Sequence, residues 1–292
     1  MNRWVLGARP RTLPAAIVPV VVGAAASVGT GRAVTVWRGL VALVVSLAIQ
    51  VGTNYANDYS DGVRGTDTGR VGPTRLVASG LASPPTVKRA AVAAFGVACV
   101  GGLVLAATTS WWVILVGVAC IAAAWLYTGG PRPYGYLGLG ELFVFVFFGL
   151  VATMGTTYVM IERVTWLSFG AAVPVGFLAT ALLVVNNLRD IPTDALAGKR
   201  TLAVRLGERR TRILYVGLLA ATFTVVPVVA GWGLRPAAAL AFVAVVLCRR
   251  PAQIVLGGAD GPALIPVLGA TGRVQLVFGA LFALGLLISG AS

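Results

Sequence analysis

The chain has 292 residues, of which 58% are hydrophobic and only 11% are charged. Soluble domains average roughly 25% charged residues, so this composition excludes the soluble classes and indicates a polytopic membrane protein. The sequence contains no histidine, which excludes a histidine general base, a Ser-His-Asp triad and any histidine-ligated metal. The three cysteines are far apart within apolar runs and form no CxxC pattern, so we interpret them as core residues.

Nine apolar runs indicate membrane-crossing helices, since a span needs about 20 mainly apolar residues. They cover residues 13–31, 36–57, 87–108, 111–128, 138–159, 165–187, 211–231, 233–248 and 274–290. The runs are continuous rather than alternating, which favours helices over barrel strands. The sequence therefore predicts an all-α polytopic membrane bundle of about nine transmembrane helices, forming a single domain over residues 1–292. Eight or ten crossings remain open.

The distribution of basic residues predicts the orientation of the bundle. Nineteen of the 23 lysines and arginines fall in the N-terminal tail and in the loops that nine spans place on one side. The positive-inside rule therefore predicts a cytoplasmic N-terminus. The net charge of +14 is explained by topology and anionic lipid, and no basic extramembrane domain indicates nucleic acid.

The first apolar run has an alternative interpretation as a cleaved signal peptide, because Arg3, Arg9 and Arg11 precede it. Its length, its two prolines and the eight runs that follow favour a retained first helix.

Five of the nine acidic residues occupy two short stretches at the cytoplasmic ends of the second and sixth predicted spans. They are Asp58, Asp61 and Asp67 in the first stretch, and Asp190 and Asp194 in the second. Spacings of three and four residues place an upstream asparagine, Asn54 or Asn187, on the same helical face as the acids that follow it. Like charges at this spacing repel unless a cation lies between them.

Two facing carboxylate clusters suit Mg²⁺ and a diphosphate, because Mg²⁺ takes carboxylate, water and phosphate oxygens. The candidate metal ligands are Asn54, Asp58, Asp61, Asp67, Asp190 and Asp194. The loops after the clusters, residues 58–86 and 188–210, are long and basic, and Arg64 and Lys199 suit an anionic ligand. The alternative is that the acids only cap helices or pair with neighbouring arginines.

These stretches resemble the two aspartate-rich motifs of the UbiA superfamily of intramembrane prenyltransferases. Residues 57–61 fit the start of the first motif, NDxxDxxxD, whereas Asp67 stands two residues later than the last motif position. Asp190 and Asp194 fit the second motif, DxxxD. Within the superfamily, the chain is most similar to the 1,4-dihydroxy-2-naphthoate polyprenyltransferases of menaquinone synthesis, through residues 8–13, 57–67, 72–77, 133–141, 186–190 and 198–207.

The resemblance implies an Mg²⁺-dependent transfer of a polyprenyl group from polyprenyl diphosphate to 1,4-dihydroxy-2-naphthoate, with loss of diphosphate and CO₂, giving demethylmenaquinol. The catalytic residues that it implies are Asp58, Asp61, Asp190, Asp194 and Lys199. The substrate-binding residues are Asn54, Arg64, Tyr127, Arg132 and Asn187. An alternative of equal weight is that Tyr127 is only an aromatic residue at the membrane interface and that Arg132 only follows the positive-inside rule. Glu141 is assigned either to acceptor orientation or to pairing with Arg132. Arg9 and Arg11 are assigned either to the acceptor's carboxylate or to anchoring the N-terminus at the cytoplasmic side. The resemblance also implies a bacterial inner membrane protein whose active site faces the cytoplasm.

Two rival functions remain. A UbiA-type enzyme with another acceptor, such as 4-hydroxybenzoate, homogentisate or a sugar phosphate, would share both motifs. An ion-coupled secondary transporter would also carry carboxylates within a helical bundle. Transporter sites lie near the bilayer midplane, whereas both acidic stretches here lie at one interface, which favours an enzyme. The sequence does not predict the oligomeric state.

Overall fold

The computed structural model of the chain describes residues 2–66 and 74–291. Within these two ranges the regular structure is entirely helical, which confirms the predicted all-α class. The predicted metal ligand Asp67 lies outside the described residues.

The helices follow one another in chain order with short connections. They are α1 (Arg3–Ala8), α2 (Pro14–Ser27), α3 (Val36–Arg64), α4 (Pro84–Thr108), α5 (Val113–Leu126), α6 (Gly140–Ile161), α7 (Trp166–Leu196), α8 (Leu202–Gly231), α9 (Pro236–Leu256) and α10 (Gly261–Ala291). One-turn helices at Pro10–Thr12 and Tyr134–Leu137 precede α2 and α6.

A helix lies at each of the nine predicted positions, but not all of these helices are long enough to span a bilayer. Among the described residues, seven helices have sufficient length and hydropathy, namely α3, α4 and α6 to α10. The segments Arg3–Thr12 and Pro14–Ser27 form a pair bent by 52° that counts as an eighth if it is one span. Helix α5 has only 14 residues. The count of nine therefore remains a prediction.

Helix α7 lies at the centre of the bundle, because 67% of its most apolar window is buried inside the protein, more than in any other of the seven spanning helices. It packs most extensively against α8 and also contacts α2, α6 and α10. A large core joins α2, α7, α8 and α10 through buried residues such as Val22, Val175, Tyr215 and Phe278. A second, smaller core packs α3 against α4 around Phe95.

Two features of the helices were not predicted. Residues Phe145–Val151 form a π-helical segment inside α6, opposite α7, where a Cβ added to Gly149 would lie 2.5 Å from the Cα of Gly176. Helix α10 starts at Gly261, thirteen residues before the predicted start at 274. Pro262 stands in the first turn of this helix, where a missing N–H donor costs no helical hydrogen bond.

Candidate active site

A cavity of about 860 Å³ lies among α2 to α7 and receives residues from the N-terminal segment and the loop before α6. Most of its wall is apolar and aromatic, as at Ile49, Leu105 and Phe147. The charged residues on its described wall are Asp61, Asp190, Asp194, Arg9, Arg11, Arg75, Arg189 and Lys199. With five cations and three carboxylates, the described wall favours anionic groups.

Asp61, near the end of α3, is the centre of the polar region. Its side chain is 3% exposed, the Nζ of Lys199 lies 3.1 Å from its Oδ1, and the Tyr136 hydroxyl donates to the same oxygen at 2.6 Å. The Nη2 of Arg75 lies 3.9 Å from its Oδ2. Burial, and then the charge of Asp61, raise the pKa of Tyr136, so this tyrosine remains a proton donor at neutral pH.

Lys199 connects the two predicted aspartate motifs. Its Nζ lies 3.1 Å from Asp61 and 4.0 Å from the Oδ1 of Asp194. The chain reverses after α7 at Gly198, whose φ of +72° is a left-handed conformation that suits glycine. The Lys199 backbone N–H then donates to the Asp194 carbonyl at 2.8 Å. A cation therefore stands between two acids that would otherwise repel.

The second motif also contains a tight ion pair. The Nε and Nη2 atoms of Arg189 each lie 2.7 Å from an oxygen of Asp190. The Nη2 also donates to the Asn186 Oδ1 at 2.9 Å. All three residues line the cavity. The residue after Asn186, the predicted Asn187, donates to the Oε1 of Glu141 at 3.0 Å, so the partner of Glu141 is Asn187.

Asp58 lies behind the cavity wall. Its carboxylate accepts backbone N–H donors from Leu76 and Val77 at 2.8 and 3.0 Å, and its side chain is fully buried. It does not line the cavity in the described structure. Asp58 therefore anchors the turn at residues 76–80 to α3, and its role as a metal ligand remains a prediction.

The other predicted binding residues differ in their distance from the cavity. Asn54 lines it and donates to the Ala8 carbonyl at 2.9 Å, which ties the N-terminal segment to α3. Arg64 donates to the carbonyls of Thr128 and Gly130 and does not line the cavity in the described structure. Arg132 is exposed and also lies outside the cavity wall.

A row of aromatic rings joins the polar region to the apolar wall. It consists of Tyr127, Tyr134, Phe143 and Phe147, whose successive ring centroids are 5.5, 4.0 and 5.8 Å apart. Tyr127 is one of the aromatic residues that line the cavity.

The chemistry of the donor set fits a magnesium diphosphate. Within residues 2–66 and 74–291, no three acidic or cysteine side chains converge as a complete metal site. Mg²⁺ commonly uses one or two protein carboxylates and takes its remaining oxygens from water and a substrate phosphate. Asp61 and Asp194, on either side of Lys199, offer two such carboxylates.

Sequence reasoning missed two residues of this region. Tyr136 was not singled out, because a tyrosine in a glycine-containing loop carries no motif. Arg189 directly precedes the second motif and has no predicted role. Its signal was available, since an arginine beside an aspartate near the end of an apolar helix is costly unless it is paired or functional.

Comparison with known proteins identifies the family. Residues 16–263 match the UbiA prenyltransferase family. The chain is 54% identical to the 1,4-dihydroxy-2-naphthoate octaprenyltransferase of Mycobacterium tuberculosis, over 94% of each chain.

Solved structures share the fold. A UbiA homolog from Aeropyrum pernix K1 superposes with a TM-score of 0.74 at 15% identity, covering 93% of this chain and 97% of that one. A UbiA homolog from Archaeoglobus fulgidus bound to GPP and Mg²⁺ superposes with a TM-score of 0.60 at 13% identity, covering 98% of this chain and 100% of that one. The chain belongs to the UbiA prenyltransferase family.

Proposed function

We propose that the chain transfers a polyprenyl group from polyprenyl diphosphate to 1,4-dihydroxy-2-naphthoate and releases diphosphate and CO₂. The product is demethylmenaquinol, a precursor of menaquinone. The observation that carries this proposal is the cation between two carboxylates, Asp61–Lys199–Asp194, at the polar end of an otherwise apolar cavity. The similarity to naphthoate prenyltransferases over nearly the whole chain supports the choice of acceptor.

The wall of the cavity suits a substrate with an anionic head and a long hydrocarbon tail. Lys199 and Arg75 would contact the diphosphate, and Ile49, Leu105 and Phe147 would contact the prenyl chain. Asp61, Asp194 and Asp190 would hold Mg²⁺, with Asn54 as a further oxygen ligand and Asp58 acting on the site from behind the wall. When bound, Mg²⁺ stabilises the negative charge that develops on the leaving diphosphate.

The proposed reaction balances without a ring C–H base. The allylic C–O bond breaks and its electron pair leaves with diphosphate. The ring carbon that carries the carboxylate forms the new C–C bond with the allylic carbon. The bond to the carboxylate then breaks, its electrons restore the aromatic ring, and CO₂ departs. The aromatic row from Tyr127 to Phe147 would face the electron-poor allylic carbon and exclude water.

The charge distribution supports a site that opens to the cytoplasm of a bacterial inner membrane. Helices α3 and α7 both carry their acidic motif near the C-terminal end, and Lys199 and Tyr136 join these ends. The adjacent loops are basic, as the positive-inside rule requires of cytoplasmic loops.

A panel of acceptors tests the proposal. Purified protein in detergent micelles is incubated with polyprenyl diphosphate, Mg²⁺ and one of 1,4-dihydroxy-2-naphthoate, 4-hydroxybenzoate or homogentisate, and the products are identified by mass. We expect a prenylated, decarboxylated naphthalene product and little product from the other two acceptors. A product from another acceptor alone would refute the choice of naphthoate, and no product from any acceptor would refute the enzyme class.

A further inference from the structure

One side-chain nitrogen of Arg189 has no hydrogen-bond partner within residues 2–66 and 74–291. A guanidinium carries five N–H donors. The Nε hydrogen and one Nη2 hydrogen face Asp190, and the other Nη2 hydrogen faces Asn186. Among the described residues, Nη1 has no hydrogen-bond partner although the atom is buried. Two N–H donors on this nitrogen are therefore not used by the described part of the chain.

The position of Arg189 indicates what kind of group this is. The residue is 3% exposed and lines the cavity. Asn186, Leu182 and Ala179 precede it by three, seven and ten positions, which places them on the same helical face, and all three line the cavity. The face thus changes from a charged donor to apolar side chains over about two turns. An aromatic ring that carries an anionic substituent matches this order.

We propose that the Nη1 atom of Arg189 binds the carboxylate of the aromatic acceptor. The inference rests on the proposed function and assigns the acceptor a subsite within the same cavity. A carboxylate is a small anion with directional lone pairs, and it forms short, charge-assisted hydrogen bonds with arginine.

The two substrates need separate cations because each has an anionic head. Lys199 and Arg75 lie at Asp61, where the diphosphate is assigned. Arg189 forms its ion pair with Asp190 and still has the two Nη1 donors that no described residue uses. A carboxylate needs such directed donors, whereas the diphosphate is assigned to Mg²⁺ together with Lys199 and Arg75.

Equilibrium binding tests this assignment without catalysis. Full-length protein in micelles, with no donor and no metal, is titrated by calorimetry with 1-hydroxy-2-naphthoate and with 1-naphthol, which differ only in the carboxylate. Wild-type protein should prefer the carboxylated ligand. Arg189→Met should weaken its binding about tenfold or more, the range expected for a charged hydrogen bond. The affinity for 1-naphthol should change by less than about twofold.

Matched variants separate binding from folding. Arg189→Lys keeps the charge and loses the planar donors, so it should retain the fold and restore only part of the preference for the carboxylate. Arg212→Lys alters a buried arginine that donates to backbone carbonyls outside the cavity wall, so it should leave the preference unchanged.

Three results would overturn the assignment. The first is a wild-type protein that binds 1-hydroxy-2-naphthoate no more tightly than 1-naphthol. The second is an equal loss of affinity for both ligands in the Arg189 variants. The third is an Arg189 variant that binds magnesium diphosphate more weakly but binds the naphthoate as wild-type protein does. Failure of the proposed function would look different, since wild-type protein would then give no prenylated product from 1,4-dihydroxy-2-naphthoate in the acceptor panel.

Discussion

The Nζ atom of Lys199 lies 3.1 Å from the Oδ1 of Asp61, although the two residues are 138 positions apart in the chain. The same ammonium group lies 4.0 Å from Asp194. One cation therefore joins the acidic end of α3 to the acidic end of α7 and limits the repulsion between them. An incoming diphosphate would meet a site in which both charge signs are already in place.

Lys199→Met tests the cation directly. We expect kcat/KM for the polyprenyl diphosphate to fall about tenfold to a hundredfold, because a hydrogen bond to a charged group contributes roughly 1.5–3 kcal/mol. Steady-state kinetics in micelles measure the change. The control is Lys88→Met, which alters the other lysine of the chain, on α4 and outside the described cavity wall. Equal losses in both variants would contradict a specific role for Lys199.

Asp58 and Asp61 should respond differently to removal of the charge. Asp58→Asn puts an NH₂ group against one of the two backbone N–H donors of Leu76 and Val77, so we expect a loss of about 1–3 kcal/mol in stability and a lower Tm. Asp61→Asn should mainly raise the Mg²⁺ concentration needed for half-maximal turnover. Thermal unfolding and magnesium titrations measure the two effects. If Asp58→Asn shifts only the magnesium requirement, Asp58 contacts the metal directly.

Arg64 tests whether its role is the one that the structure shows or the substrate contact that the family resemblance implies. The side chain donates to two carbonyls after α5, which fixes the loop at residues 128–130 to the end of α3. We expect Arg64→Gln to lower the Tm and to leave the KM for the polyprenyl diphosphate within about threefold, because a residue off the cavity wall makes no ground-state contact. A large rise in this KM at unchanged Tm would instead support the contact between Arg64 and the diphosphate that the family resemblance implies.

The contact between α6 and α7 predicts a strong effect from a single methyl group. Gly149→Ala brings a Cβ to 2.5 Å from the Gly176 Cα, so the helices must separate, and we expect a loss of about 1–3 kcal/mol in stability. The control is Gly155→Ala in the same helix, where an added Cβ meets nothing within 4 Å. Thermal unfolding of both variants in detergent should show a fall in Tm for the first alone.

The fold could be predicted largely from the sequence because the bilayer permits few solutions. Long apolar runs must be helices when no water is present to satisfy the backbone. Helix α3 and its Asp-rich end therefore appear where the hydropathy places them. The start of α10 was wrong by thirteen residues because prolines and glycines in its first turns resemble a loop. The π-helical segment at Phe145–Val151 has no pattern that hydropathy detects.

The sequence predicted the acidic residues of the candidate site and, beside them, Asn54, Tyr127, Asn187 and Lys199, which line the same cavity. The spacing of Asp61, Asp190 and Asp194 marked the motifs, and all three line the cavity. The contact between Lys199 and Asp61 depends on the packing of α3 against the end of α7, which a single sequence does not encode locally. The same is true of Asp58, whose spacing looks like that of a ligand although its oxygens face the backbone of the next loop.

The most direct measurement is the release of diphosphate and CO₂ by the purified protein in micelles. The substrates are a polyprenyl diphosphate and 1,4-dihydroxy-2-naphthoate labelled in its carboxylate, and the reaction is run with Mg²⁺ and again with EDTA. We predict equal amounts of both products with Mg²⁺ and neither with EDTA, while circular dichroism shows the helices unchanged. Release of both products at the same rate in EDTA, or of diphosphate without CO₂, would contradict the account.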